Sequence, residues 1–209
     1  FATANEAKYI IRTILSDLRI GIADAIVVDS INKAFFDNPE MKPILEEKYD
    51  LCNDLALLFD ACVKGIESVN KIDIEPGRPI KVMLAVKASD LEDAFRICGS
   101  PAAIEHKYDG FRMLVNKHKG KISLFTRKLE NVTKQFPDVV NFIKKNVKGN
   151  GFIIDSEAVG YNKKTGKYLP FQSISQRIKR KYDIEKMSRD FPVEVNVFDI
   201  ICYDGKSML

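Results

Sequence analysis

Nowhere in the 209 residues does an apolar run reach the roughly eighteen residues that a membrane-spanning helix needs, so no span is expected. The start, Phe1-Ala2-Thr3-Ala4-Asn5, has no basic stretch followed by an apolar core and does not read as a signal peptide. It holds no initiator Met either, which points to a chain cut from something longer. Tryptophan is absent, and that excludes nothing. Histidine occurs only at His106 and His118, too few to build a metal site by themselves. The four cysteines, Cys52, Cys62, Cys98 and Cys202, show no Cys-x-x-Cys spacing, which argues against zinc and against a disulfide framework. Leu51-Cys52, Ala61-Cys62-Val63 and Ile97-Cys98 read as reduced thiols buried among apolar neighbours in an intracellular protein. No internal repeat or low-complexity segment interrupts the chain.

Hydrophobic residues make up 45% of the sequence, enough to bury a core in one large domain or two small ones. Charge is divided unevenly. Residues 1–76 carry 8 Lys+Arg against 14 Asp+Glu, a balance of −6, whereas residues 77–209 carry 25 against 15, or +10. Positive charge concentrated in the second part suits a surface that handles phosphates, although a solvated lysine-rich face would give the same count.

The first part has helical periodicity. Thr3-x-x-Glu6 forms a capping box, and Ala7, Ile10, Ile11, Ile14, Leu15 and Leu18 follow at helical spacing until Gly21. A second helix is expected from about 23 to 36, ended by Asp37-Asn38-Pro39. A third carries Leu51, Leu55, Leu58, Phe59 and Cys62, with Gly65 as its C-cap. Glu75-Pro76-Gly77-Arg78-Pro79 reads as a linker, which divides the chain into a helical part, 1–75, and a second part, 76–209. After it, Ile80–Leu84 reads as a strand, and Ser89-x-x-Glu92 caps a short helix that Gly99 ends. Strands are expected at Ala103–Lys107, Phe111–Asn116, Lys121–Thr126, Phe152–Val159 and Val193–Ile201. Tyr108-Asp109-Gly110 and Lys117-His118-Lys119-Gly120 supply turns, and one helix spans about 133 to 146. The fold class is therefore α+β: helices first, then a mixed, mainly antiparallel sheet with flanking helices.

The segment richest in chemistry is Glu105-His106-Lys107-Tyr108-Asp109-Gly110-Phe111-Arg112. A lysine attacks only as the free amine. An ordinary lysine, with a pKa of about 10.4, is almost wholly protonated at neutral pH. Desolvation or nearby cations favour the neutral form, and cations also steady charge building on a phosphate. Arg112 and Arg127 are candidates for that work. The plain alternative is a hairpin with a solvent-facing lysine and a surface ion pair.

Lys107-Tyr108-Asp109-Gly110-Phe111-Arg112 resembles the nucleotidyltransferase signature of DNA ligases, RNA ligases and mRNA capping enzymes. Four further elements follow in order. Thr126-Arg127-Lys128-Leu129-Glu130-Asn131-Val132-Thr133 is similar to the second ligase element, and Phe152-Ile153-Ile154-Asp155-Ser156-Glu157-Ala158-Val159 to the third. Pro170-Phe171-Gln172 with Arg177 is similar to a segment of archaeal and eukaryotic replicative ligases. Val197-Phe198-Asp199-Ile200-Ile201-Cys202-Tyr203-Asp204-Gly205 is similar to the fourth ligase element. Residues 6–21 resemble the end of the DNA-binding domain that precedes catalysis in those ligases, and residues 76–81 resemble the junction. The chain thus resembles the ATP-dependent DNA ligases over nearly its whole length.

The resemblance implies a helical end of a DNA-binding domain over 1–75 and the first part of an adenylation domain over 76–209. It implies nick sealing through a lysyl-AMP intermediate and an adenylated 5′-phosphate, with ATP and magnesium ion (Mg2+) as cofactors. Lys107 would take the AMP, and Glu105 and Phe198 would hold adenine. Arg112 would contact ribose or phosphates and Arg127 the phosphates. Glu157 would bind the ribose hydroxyls or help hold magnesium. The implied partner is nicked double-stranded DNA, with a sliding clamp as a further one, and the protein is expected to be an intracellular monomer.

The family's downstream Glu-Gly segment, final lysine-rich segment and oligonucleotide-binding barrel have no counterpart before Leu209. The chain is therefore expected to be an incomplete catalytic domain that labels itself poorly and seals nothing alone. In residues 1–76, whose balance is acidic, DNA contact would fall to local features such as Arg12, Arg19 or the Gly21 amide. An RNA ligase, a capping guanylyltransferase and a non-catalytic nucleic-acid-binding module remain alternatives. An NAD-dependent ligase is disfavoured, because no cofactor-specific domain precedes Lys107.

Overall fold

The computed structural model describes residues 2–15, 21–81 and 85–208. Leu18, Arg19 and positions 82–84 of the expected strand at 80–84 lie outside them; residues 80 and 81 are not in a strand. The chain divides into two compact units, one of residues 1–50 with 54–72 and one of 51–53 with 73–209.

The first unit is helical. Helix α1, Ala4–Ile14, begins with the expected capping box: the Thr3 side chain accepts from the Glu6 N–H, and Glu6 accepts from the Thr3 N–H. None of its residues is buried. Helix α2 spans Asp24–Phe35, α3 Met41–Cys52, α4 Leu55–Lys64 and α5 Ile66–Asn70. The single helix expected around Leu51–Cys62 is therefore two. Asn53 adopts a positive φ of 47°, and Asp54 accepts from the N–H groups of Ala56 and Leu57, restarting the helix as α4. Gly65 closes α4 as expected, at φ 97°. Val28, Ile31, Leu45, Leu58 and Val69 form the buried interior of this unit. Tyr49 donates its hydroxyl to Asp24 Oδ2 at 2.8 Å, tying α3 to the start of α2.

The second unit opens with residues 73–81, and then α6, Leu91–Cys98. Its N-cap is Asp90, which accepts from the Asp93 N–H, and not the expected Ser89; the carboxylate is the stronger acceptor, and Ser89 instead donates to Asp93. Gly99 ends the helix as expected. Cys98 is exposed, unlike the buried Cys52, Cys62 and Cys202, because α6 buries none of its residues; none of the four is in a disulfide.

The sheet runs β1 Phe111–His118, β2 Lys121–Thr126, β3 Phe152–Gly160, β4 Val193–Tyr203 and β5 Lys206–Ser207, in the order β2-β1-β3-β4-β5. Every pairing is antiparallel, so the architecture is α+β with an antiparallel sheet. The strand expected at Ala103–Lys107 does not form. No described strand pairs with it, and Ile104, its one large apolar residue, is 91% exposed. Alternation alone does not make a strand when no ladder partner is present.

Because side chains alternate, the sheet has two distinct faces. Phe111, Met113, Val115, Ile122, Leu124, Phe152 and Ile154 form a core beneath the helices. Those helices are α7, Pro137–Asn146, α8, Phe171–Lys179, and α9, Ile184–Asp190. The helix expected over 133–146 is broken: Thr133–Gln135 is a 3-10 turn, and Pro137 starts α7 at its first position. Leu114, Phe125, Ile153 and Cys202 face the other way and pack with Ile74 and Ile80. Residues 75–79, read as a linker, form a turn held on β1. The Asn116 side chain accepts from the Gly77 N–H and donates to the Arg78 carbonyl at 3.0 Å.

Arg177 on α8 is wholly buried and explains how that helix is held. It donates to the Gln135 and Phe191 carbonyls, the Ser188 hydroxyl and Asp138, and its guanidinium lies 4.2 Å from the Phe136 ring centre. A buried cation is tolerable only with such a full set of acceptors.

Candidate active site

The alternation that divides the core also gathers the candidate side chains. On β1, Arg112 shares the face of Leu114 and Asn116. On β3, Asp155 and Glu157 share the face of Ile153. The register sets Arg112 opposite Glu157 and Leu114 opposite Asp155, so Asp155 is the diagonal neighbour of Arg112. Arg112 grips it with two donors: Nε reaches Oδ1 at 2.9 Å, and the terminal nitrogen bonds Oδ2. This is the fixed fork geometry in which arginine binds a carboxylate most strongly.

Phe198 comes from β4, whose pairing with β3 shifts register between Ile153 and Ile154 and again between Asp155 and Ser156. Such irregularities redirect side chains. The Phe198 ring is 41% exposed, with the Arg112 guanidinium 6.0 Å from its centre. An apolar strand residue would ordinarily be covered; this one offers an open aromatic surface beside a cation.

Burial raises the pKa of Glu157 above the ordinary 4.5, while the charges of Lys107 and Arg112 and the Gly110 N–H draw it the other way. Lys107 is exposed and lies close enough for its charge to act on Glu157. It sits on a segment without regular secondary structure, residues 102–108, that pairs with no described strand. Gly110 anchors the end of that segment, because its Cα packs directly on the Ala158 carbonyl of β3. Next to Lys107 is an open cavity of about 560 Å³, also lined by Tyr108, Asp109, Val159, Tyr168 and Pro170. Tyr108 and Tyr168 meet edge to face at 6.3 Å. Tyr168 donates its hydroxyl to Glu194 at 2.6 Å, and that bond raises the tyrosine's pKa.

Arg112, Glu157 and Phe198 thus gather on one sheet face, and Lys107 lies near enough for its charge to act on Glu157, while the cavity beside Lys107 is lined by none of the other three. Arg127 and Glu105 do not join that contact set. Arg127 is exposed, one residue beyond the Met113–Thr126 pair, so its backbone lies at the end of the sheet where Arg112 begins. Glu105 is exposed two residues before Lys107. Among the described residues no trio of His, Cys, Asp or Glu is grouped to hold a metal by itself. The residue that sequence reasoning missed is Asp155. Its signal was available, since a carboxylate two positions from Glu157 in an apolar strand must share its face.

An antiparallel α+β unit carrying a lysine, a clamped arginine and a bare aromatic ring on one face has the attributes of a nucleotide-binding domain. The family described as "ATP dependent DNA ligase domain" matches residues 82–209, and the family described as "DNA ligase N terminus" matches residues 2–32. The chain belongs to the ATP-dependent DNA ligase family. It is 47% identical over all 209 residues to a protein named "DNA ligase" from Nanoarchaeum equitans, of which it covers 36%. It is 39% identical, again over its full length, to "DNA ligase 2" of Thermofilum pendens, of which it covers 34%. The chain therefore spans about a third of the length of these curated relatives. A solved structure described as "mycobacterial DNA ligase D complexed with ATP and MES" is 26% identical, with 49% of this chain and 30% of that one aligned at a TM-score of 0.36.

Proposed function

We propose that the protein is an ATP-dependent ligase of nicked duplex DNA, with Lys107 as the amine that carries AMP. The observation that supports it most is that Arg112, Glu157 and Phe198 share one face of the sheet, with Lys107 near enough for its charge to act on Glu157. Lys107 Nζ, once free of its proton, attacks the α-phosphorus of ATP. A nitrogen–phosphorus bond forms, and the bond to the departing pyrophosphate breaks. AMP then passes to the 5′-phosphate at a nick, and the 3′-hydroxyl of the neighbouring strand displaces it, joining the two.

Phe198 supplies the stacking surface for adenine, a contact worth about 1–3 kcal/mol. Glu105 takes part in holding the base. Arg112, kept in place by Asp155, meets the ribose or phosphates, and Arg127 meets the phosphates. Glu157 accepts from the ribose hydroxyls. Magnesium fits this donor set only as an ion shared with the substrate, because it is commonly held by one or two carboxylates together with phosphate oxygens, and Glu157 offers one. Bound there, the ion would neutralise phosphate charge. Residues 1–75 are the closing part of a DNA-binding domain, a reading supported by the match of residues 2–32 to the ligase N terminus.

The test is labelling of the full-length protein with ATP radioactive at the α-phosphate. Protein-bound label that survives alkali and is lost in acid, as a nitrogen–phosphorus bond requires, is expected with the native sequence and is expected to vanish in Lys107→Ala. Label from GTP in preference to ATP would indicate a capping-type activity instead. Undiminished label in Lys107→Ala would end the proposal.

A further inference from the structure

Away from the lysine, the outer edge of β2 borders a second open cavity, of about 710 Å³. Four cations line it: Lys121 at the start of β2, Lys134 in the 3-10 turn, and Arg180 and Lys181 between α8 and α9. No aspartate or glutamate lines it. Of the four, Arg180 faces a carboxylate, Asp183, at 3.5 Å, both side chains being at least half exposed. Such a pair is weak and readily exchanged for another anion. The cavity floor is fixed beforehand. Thr133 Oγ1 accepts from the Leu124 N–H at 2.9 Å and donates to Asn131 Oδ1 at 2.7 Å, and Ser123 lies beside them.

A solvated lysine-rich surface is normally convex and interspersed with acids. Here cations from three separated stretches of chain converge on one concavity, and its lining excludes acids. That arrangement fits phosphate groups, which lysine binds as a point charge and arginine with a fork. Lys121 pairs with His118, at the opposite end of β1 from Arg112. Six residues of strand separate the two ends, about 20 Å. A ligand reaching both places would have to be an extended polyanion.

We propose that the Lys121–Lys134–Lys181 cavity binds the phosphate backbone of the duplex arm flanking the nick, as a contact separate from the Lys107 cluster. This rests on the ligase reading, because it takes nicked DNA as the substrate. At 3.4 Å per base pair, about 20 Å corresponds to about six base pairs of arm.

The experiment compares the full-length protein with the triple variant Lys121→Gln, Lys134→Gln, Lys181→Gln, three exposed positions whose replacement leaves the core untouched. Both bind nicked duplexes whose arms are about four or about twelve base pairs, at increasing salt. The native protein is expected to gain affinity from the longer arm. Between about 50 and 200 mM salt it is expected to lose about 40-fold more affinity for that duplex than the triple variant, the effect of about three phosphate contacts. The triple variant is expected to match the native protein on short arms and in ATP labelling of Lys107. Equal salt dependence and equal gain from the longer arm in the two proteins would overturn the proposal. So would protection of the three lysines from acetylation by ATP in place of DNA, which would make the cavity a nucleotide site. Failure of ATP labelling in both proteins would count against the ligase reading alone, since the salt comparison still reports on the cavity.

Discussion

Arg112 stands directly opposite Glu157 but bonds Asp155, the diagonal residue two positions before Glu157 on β3. The Asp155 side chain is 3% exposed and that of Arg112 29%. The aspartate is thus the desolvated partner, and the arginine keeps one side open toward Phe198. Removing one member of a buried pair costs more than the pair is worth, because the other charge is left without compensation. Arg112→Ala is expected to destabilise the protein by about 3 kcal/mol. Adding Asp155→Asn to it should recover part of that loss. Urea unfolding of the two single variants and the double variant measures the coupling, and additive losses would contradict it.

Glu157 should show its environment in the pH dependence of stability. Its folded-state pKa is raised, so the folded protein holds this proton more tightly than the unfolded chain does. Its contribution is then most favourable below the unfolded value near 4.5 and is lost as pH rises through the raised folded value. Glu157→Gln removes that dependence. The melting temperature of the variant, relative to the native protein, is expected to increase between pH 4 and pH 7. A difference that stays flat or falls over that range would show that Lys107 and Arg112 outweigh burial.

Gly110 has no room for a side chain. A Cβ there would collide with the Ala158 carbonyl and come within 3.1 Å of Glu157 Cγ. The obstacle is mainly backbone, which cannot swing aside. Gly110→Ala should therefore displace the lysine segment from β3, at a cost of about 1–3 kcal/mol typical of overpacking. Loss of ATP labelling should exceed the loss of stability, since the displacement falls next to Lys107. Native-like labelling would refute the anchoring role.

Asn116 is 1% exposed and serves two backbone groups of the turn at residues 77–78. Asn116→Ala strands both and should cost about 1–3 kcal/mol for each group that water cannot reach. Asn116→Asp keeps the acceptor for Gly77, but once ionised it has no donor for the Arg78 carbonyl, so its effect should be intermediate at neutral pH and smaller in acid, where the neutral carboxyl can donate again. Chemical denaturation of the three proteins ranks them.

What could be read from the sequence was mostly local. The Thr3–Glu6 box, the stop at Gly65 and strand β2 at 121–126 each depend on neighbours a few residues apart. Residues 103–107 have a strand's alternation but lack its partner, and a partner is not a local property. Helices α8 and α9 escaped notice because their inward surface is carried by Ile174, Met187 and Arg177, and the last is a cation that any count of apolar residues assigns to the exterior. In the candidate site, Lys107, Arg112 and Glu157 could be named from their motifs. Phe198 could be named in the same way, but not its contact with Arg112, which depends on two register shifts between β3 and β4. The grip of Asp155 on Arg112 follows from strand register in the same way.

Residues 102–108 carry Lys107 without a backbone hydrogen bond among the described residues. Their amides should therefore exchange with deuterium sooner than those of β1 and β3, which wait for global opening. Ordering such a stretch costs about 1–2 kcal/mol of chain entropy per residue. Any molecule that settles against the lysine must offset that cost, so its measured affinity understates the strength of its contacts. Slowed exchange confined to these few amides would be the earliest sign of its arrival.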